Sequence, residues 1–165
     1  MGFCTSLRHK AKTWNSLSKS DRGLLISAAC LLPIIAASLK TIGLQRTQSW
    51  LAGNALAPMR PATEQTRANV RRAAQIVAAA YRLHPMPSSC LPRAVALWSL
   101  LQRRGIGTDV RIGVRYNTTG DFESHAWLEL NGEVLNDAWD VATQYLPLNS
   151  PAFDGVTLPP LCRSE

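Results

Sequence analysis

The sequence predicts an α+β domain in which a helix packs on a small antiparallel sheet. Three observations carry this. Apolar residues recur at helical spacing as far as Arg104, and the period then changes to two. The alternating segments are joined through Asn131-Gly132, a pair suited to a hairpin turn. Helices first and strands after describe an α+β order, not the repeating βαβ order of a parallel sheet. The length, 165 residues, suits one domain, and 46% apolar against 18% charged residues supplies a core and excludes wholesale disorder.

Residues 1–17 form a basic start. Ser18 or Ser20, with Asp21, can cap the hydrophobic helix that follows at about 20–43, because their side-chain oxygens accept from its free amides. Its centre, LLISAACLLPIIAASL (24–39), is nearly all apolar. A span needs about 20 such residues, so this shorter run, containing Pro33 and closed by Lys40, favours a buried or interfacial helix over a membrane span. A signal peptide would need a clean small-residue cleavage site, which is missing. Gly43 would end the helix, and AGNALAPMRP (52–61) has the breakers of a linker. Residues 1–60 are therefore read as a helical extension and 61–165 as the main domain. In the next helix Val70, Ala73, Ala74, Val77 and Tyr81 share a face, with arginines opposite, and His84-Pro85 stops it. A further helix opens at Cys90, with Leu91, Ala94, Val95, Leu97, Trp98 and Leu101 at helical spacing and Arg103-Arg104-Gly105 as its end. Val110, Ile112 and Val114 alternate with polar residues or glycine, and SHAWLEL (124–130) and EVLND (133–137) give two more strands.

The formal charge is +7. The bases are scattered, no aromatic residues alternate with them, and no zinc-finger spacing is present, so nucleic-acid binding is not expected. An acidic peptide or an anionic membrane surface suits the charge. Cys4, Cys30, Cys90 and Cys162 form no CxxC pair, which argues against structural zinc, and a disulfide scaffold would be denser. A reducing, cytoplasmic setting follows, with Cys90 free to be a thiol.

Taken alone, Cys90 reads as a small buried hydrophobe. A helix N-terminus, however, favours the thiolate, and Cys90 holds that position if Ser88 or Ser89 is the cap. Pro92 fits, since proline is tolerated within the first turn. Of His9, His84 and His125, only His125 lies in a strand, on one face with Trp127 and Glu129 while Ala126, Leu128 and Leu130 take the other. A cysteine at a helix start and a histidine on the packed sheet make a workable nucleophile and base. The orienting group depends on the hairpin. A two-residue turn pairs Leu130 with Glu133 and makes Asn136 the better neighbour of His125. A three-residue loop with Gly132 in the left-handed position places Asp137 opposite His125. Asp140 is a more distant candidate.

CLPRAVALWSLLQRRG, a strand IGVRY and SHAWLELNGEVLND together resemble the transglutaminase-like leader peptidases of lasso-peptide biosynthesis, over about 85–140. The hydrophobic helix after SKSDR also resembles that family's opening. The resemblance implies a transglutaminase/papain-like core and a cysteine protease, with Cys90 as nucleophile, His125 as base and Asp137 as orienting carboxylate. That third match favours the three-residue loop. It implies no cofactor and no metal. The substrate would be a leader–core precursor peptide, and an ATP-dependent asparagine-synthetase-like cyclase would use the freed core. Residues 1–60 show no alternating strands for a winged-helix module, so a separate leader-recognition protein is expected. Arg93 and Trp127 match family positions and read first as structural, Arg93 as a helix-surface or strand-anchoring charge and Trp127 as an aromatic that walls the site. An acyl transferase using the same residues, or a non-catalytic peptide-binding scaffold with peripheral membrane contact through the hydrophobic helix, are the competing readings.

Overall fold

The computed structural model describes residues 17–53, 63–84 and 89–148. Outside these lie most of the basic start with Cys4 and His9, most of the 52–61 linker, residues 85–88 including Ser88, and the tail with Cys162. The described elements are α1 (Lys19–Thr41), α2 (Gly43–Ala52), α3 (Glu64–Tyr81), α4 (Cys90–Gln102), β1 (Asp109–Tyr116), β2 (Phe122–Leu130), β3 (Glu133–Val134), α5 (Val141–Gln144) and β4 (Leu146–Pro147).

Ser18 caps α1, its hydroxyl oxygen accepting from the Asp21 amide at 3.0 Å. The helix runs through Pro33 to Thr41 and is long and apolar enough to cross a membrane by length and composition. Its inner face enters the core, while Ile26 and Ile34 stay exposed. The chain then restarts at Gly43 as α2, a second helix between the hydrophobic helix and the 52–61 linker. Leu44, Thr47 and Leu51 share a face there, and Thr47 can be buried because its hydroxyl donates to the Gly43 carbonyl at 2.7 Å.

One cluster joins Leu24, Ala28, Leu32 and Ile35 of α1 to the inner faces of α3, α4 and β2. Each fully buried leucine contributes about 1.5–3 kcal/mol. This cluster crosses the expected division near residue 60, with α1 packed on the inner faces of α3, α4 and β2.

The sheet has the order β3-β2-β1-β4, with antiparallel neighbours throughout. Leu130 pairs with Glu133, and Asn131 and Gly132 have φ of +53° and +83°. Two successive positive φ values mark a two-residue type I′ turn, which Asn-Gly favours. The three-residue loop favoured by the resemblance does not form. Arg71 of α3 ties β3 down through Glu133 at 2.8 Å. α5 and β4 carried no periodic signal, and Pro147 sits in β4 at the sheet edge, where no ladder donor is needed.

Candidate active site

The site is made by the early end of β3. Successive amides of a strand point to opposite edges, so those of Ala126 and Leu128 in β2 both face the β3 side. The ladder continues only to Leu135, whose amide donates to the Leu128 carbonyl at 3.2 Å. The Leu128 amide is instead taken by the Asn136 side-chain oxygen at 2.6 Å. The Ala126 amide donates to the sulfur of Cys90 at 3.2 Å. Sulfur and a side-chain amide thus close an edge that a longer strand would have covered.

Leaving the ladder also turns the chain. The two-residue hairpin, extended in register, would send Asp137 to the wrong face. Because pairing stops at Leu135, Asp137 swings to His125, and its Oδ2 lies 2.7 Å from Nε2. A carboxylate can only accept, so Nε2 is the donor to it, and in a neutral imidazole Nδ1 is then the bare nitrogen. The other carboxylate oxygen accepts from the Ala138 amide at 2.9 Å. Asn136 is therefore a ladder terminator, not the partner of His125. Asp140 accepts from Gln144 at 2.8 Å and stands at the N-cap of α5.

Cys90 is the first residue of α4, half-buried, so its amide has no acceptor within the helix. Ser89 occupies the cap position but makes no side-chain capping bond. Its amide donates to the Tyr81 hydroxyl at 2.9 Å, which removes it as a free donor at the site. The Arg93 guanidinium lies 5.9 Å from the Tyr81 ring centroid, so Arg93 joins α4 to α3 rather than anchoring a strand. Among the described residues no hydrogen bond links Cys90 to the imidazole; the two meet through the peptide between His125 and Ala126. His84 caps α3, its ring 3.1 Å from the Ala80 carbonyl.

The outer face of the sheet carries an aromatic layer. Trp127 is fully buried, 6.3 Å from the His125 ring and stacked on it at 19°. Tyr145 flanks His125 at 5.3 Å, and the Arg115 guanidinium lies 4.4 Å from the Tyr145 ring. The Trp127 indole donates to Glu129 at 2.8 Å, and Arg111 holds the other oxygen of Glu129 at 3.1 Å. Gly113, paired with His125, makes room: a Cβ there would lie 2.7 Å from the Tyr145 Cβ and 2.8 Å from the indole ring. Alternation in β2 had placed His125, Trp127 and Glu129 together, but nothing in the sequence announced Tyr145. Trp139, two residues beyond Asp137, is 86% exposed and was also not singled out.

A helix beginning at a cysteine, laid against a small antiparallel sheet that carries a His–Asp pair, defines the transglutaminase-like class. The model of the transglutaminase-like superfamily matches residues 34–150, well over half of the chain, and the protein belongs to that superfamily. The match begins inside α1, in keeping with its place in the shared core. The chain is also similar to the Microcin J25-processing protein McjB of Escherichia coli, 41% identical over 58 residues. That stretch is 35% of this chain and 26% of the relative, so the likeness spans about a quarter of that protein. No solved structure matches.

Proposed function

We propose that this protein is a cysteine peptidase that removes the leader from a lasso-peptide precursor. The observation that carries the reading is the seat of Cys90: its sulfur lies on the strand amide next to His125, whose far ring nitrogen is bound by Asp137. The likeness to a microcin-processing protein supports a peptide precursor as substrate.

In this mechanism the Cys90 sulfur attacks the last leader carbonyl, and its proton passes to Nδ1 of His125. Asp137 fixes the tautomer that leaves Nδ1 free and steadies the imidazolium. The amide of Cys90, at the first position of α4, donates to the oxyanion. Collapse breaks the C–N bond, with His125 giving its proton to the departing core amine. Water, deprotonated by His125, then adds to the thioester, releasing the leader carboxylate and regenerating the thiol. The freed core amine is the group a separate ATP-dependent cyclase would join to an acidic side chain. A separate leader-recognition protein presents the leader, since a catalytic site by itself has little hold on an extended peptide.

The experiment is mass spectrometry of a precursor incubated with the recognition protein and either wild type or Cys90→Ala. Cleavage at one leader–core bond by wild type alone is the expected result. Equal cleavage by both would remove Cys90 as nucleophile. Asp137→Ala is expected to lower kcat by about 10²–10⁴-fold with little change in KM.

A further inference from the structure

At the far end of α4 from Cys90, the start of α1 and the end of α4 enclose a cavity of about 520 Å³, and a second of about 300 Å³ adjoins it through Ser20, Leu24, Arg103 and Arg104. The floor is apolar, with Leu24, Ala73, Leu101 and Ile106 in the larger cavity. Ile106 is brought there because its amide returns to the Leu101 carbonyl at 3.0 Å, folding the helix end back on itself. The rim is cationic. Arg103 and Arg104 line both cavities, with Arg72 on the larger and Lys19 on the smaller. Asp21 is the one acidic lining residue among the described residues, and Arg72 already pairs with it at 3.2 Å. Arg103, Arg104 and Lys19 form no ion pair among the described residues.

We propose that this groove binds an acidic peptide segment that also carries apolar side chains. Charge complementarity selects the acid and the floor selects the apolar residues. A concave, apolar-floored groove does not suit a flat lipid surface, and among the described residues it offers no aromatic ring on which a nucleobase would stack. The 13 residues of α4 place the groove about 20 Å from Cys90, so the site stands apart from the peptidase reading.

The test is fluorescence anisotropy with a labelled peptide in which glutamates alternate with leucines. Wild type is expected to bind it, and Arg103→Gln/Arg104→Gln to bind about tenfold more weakly. Lys40→Gln/Arg46→Gln, which removes the same charge elsewhere, is expected to change affinity less than about twofold. On wild-type protein, replacing the peptide's glutamates by glutamine or its leucines by serine should each weaken binding. No binding, equal loss in the two double variants, or equal displacement by an oligonucleotide would each overturn the proposal.

Discussion

Gly113→Ala is a change of one methyl group whose effect is set by what lies beneath the sheet. Gly113 is in a regular strand and has ordinary φ, so the backbone accepts alanine. The obstacle is space. The new Cβ would meet the Tyr145 Cβ at 2.7 Å and the Trp127 ring at 2.8 and 3.0 Å. Ordinary contact begins at 3.4 Å, so one side must retreat by about 0.7 Å. Neither neighbour is a flexible chain end: one is a fully buried indole and the other an atom fixed to the backbone. Overpacking of this kind costs about 1–3 kcal/mol, against which the stiffer unfolded chain returns about 0.4–1 kcal/mol. A net loss of about 1–2 kcal/mol lowers Tm by roughly 2–8 °C in a chain of this size. Because Trp127 and Tyr145 both flank His125, cleavage should fall more than stability alone explains. The assays are thermal unfolding by near-UV circular dichroism and kcat for the proposed leader removal below the transition. A Gly113→Ala protein that melts at or above the wild-type temperature with full activity would refute the packing argument.

Three further outcomes follow from the same contacts. Asn136→Ala orphans the Leu128 amide and should cost about 1–3 kcal/mol, read by urea unfolding and by faster hydrogen exchange at Leu128, whereas Asn136→Asp keeps an acceptor and should recover much of the loss. Trp127→Phe removes the donor to Glu129 and should cost about 1–2 kcal/mol, with kcat falling while KM holds; an unchanged kcat would mean that the indole does not position His125. The carboxyl of Glu123 is held below its ordinary value, chiefly by the hydrogen bond from Arg115 and then by that from Asn117. A lowered carboxylate contributes stability above its unfolded value, near pH 4.5, and loses it as pH falls through the folded value. Glu123→Gln should therefore be less stable than wild type at neutral pH, with the gap closing in acid and shrinking in high salt because the pair is only half-buried.

The helices and two long strands were legible because each repeats its period over several turns or pairs, and Asn131-Gly132 named its own turn. The candidate site was legible as residues but not as geometry. Strict hairpin register gave a choice between Asn136 and Asp137 that assumed the ladder would run on. It stops at Leu135 because the Asn136 side chain takes the place of a backbone acceptor, a substitution that periodicity cannot express. α2 was missed because a short amphipathic helix beside a linker offers too few repeats, and a buried threonine interrupts its apolar face. Tyr145 reaches His125 across the sheet from a segment with no period, and only the missing side chain of Gly113 allows it to close in.

The place of α1 in the shared core has a consequence for synthesis. Leu24, Ala28, Leu32 and Ile35 leave the ribosome before their partners, which include Val70 on α3 and Leu101 on α4. At about 5–20 residues per second, the last of these helical partners follows Leu24 by roughly 4–15 s. For that interval a 23-residue apolar helix stands without the surfaces that bury it. The nascent chain is then at its most adhesive, and a chaperone that covers α1 until α4 has emerged would act before His125 and Asp137 of the candidate site have followed Cys90 out.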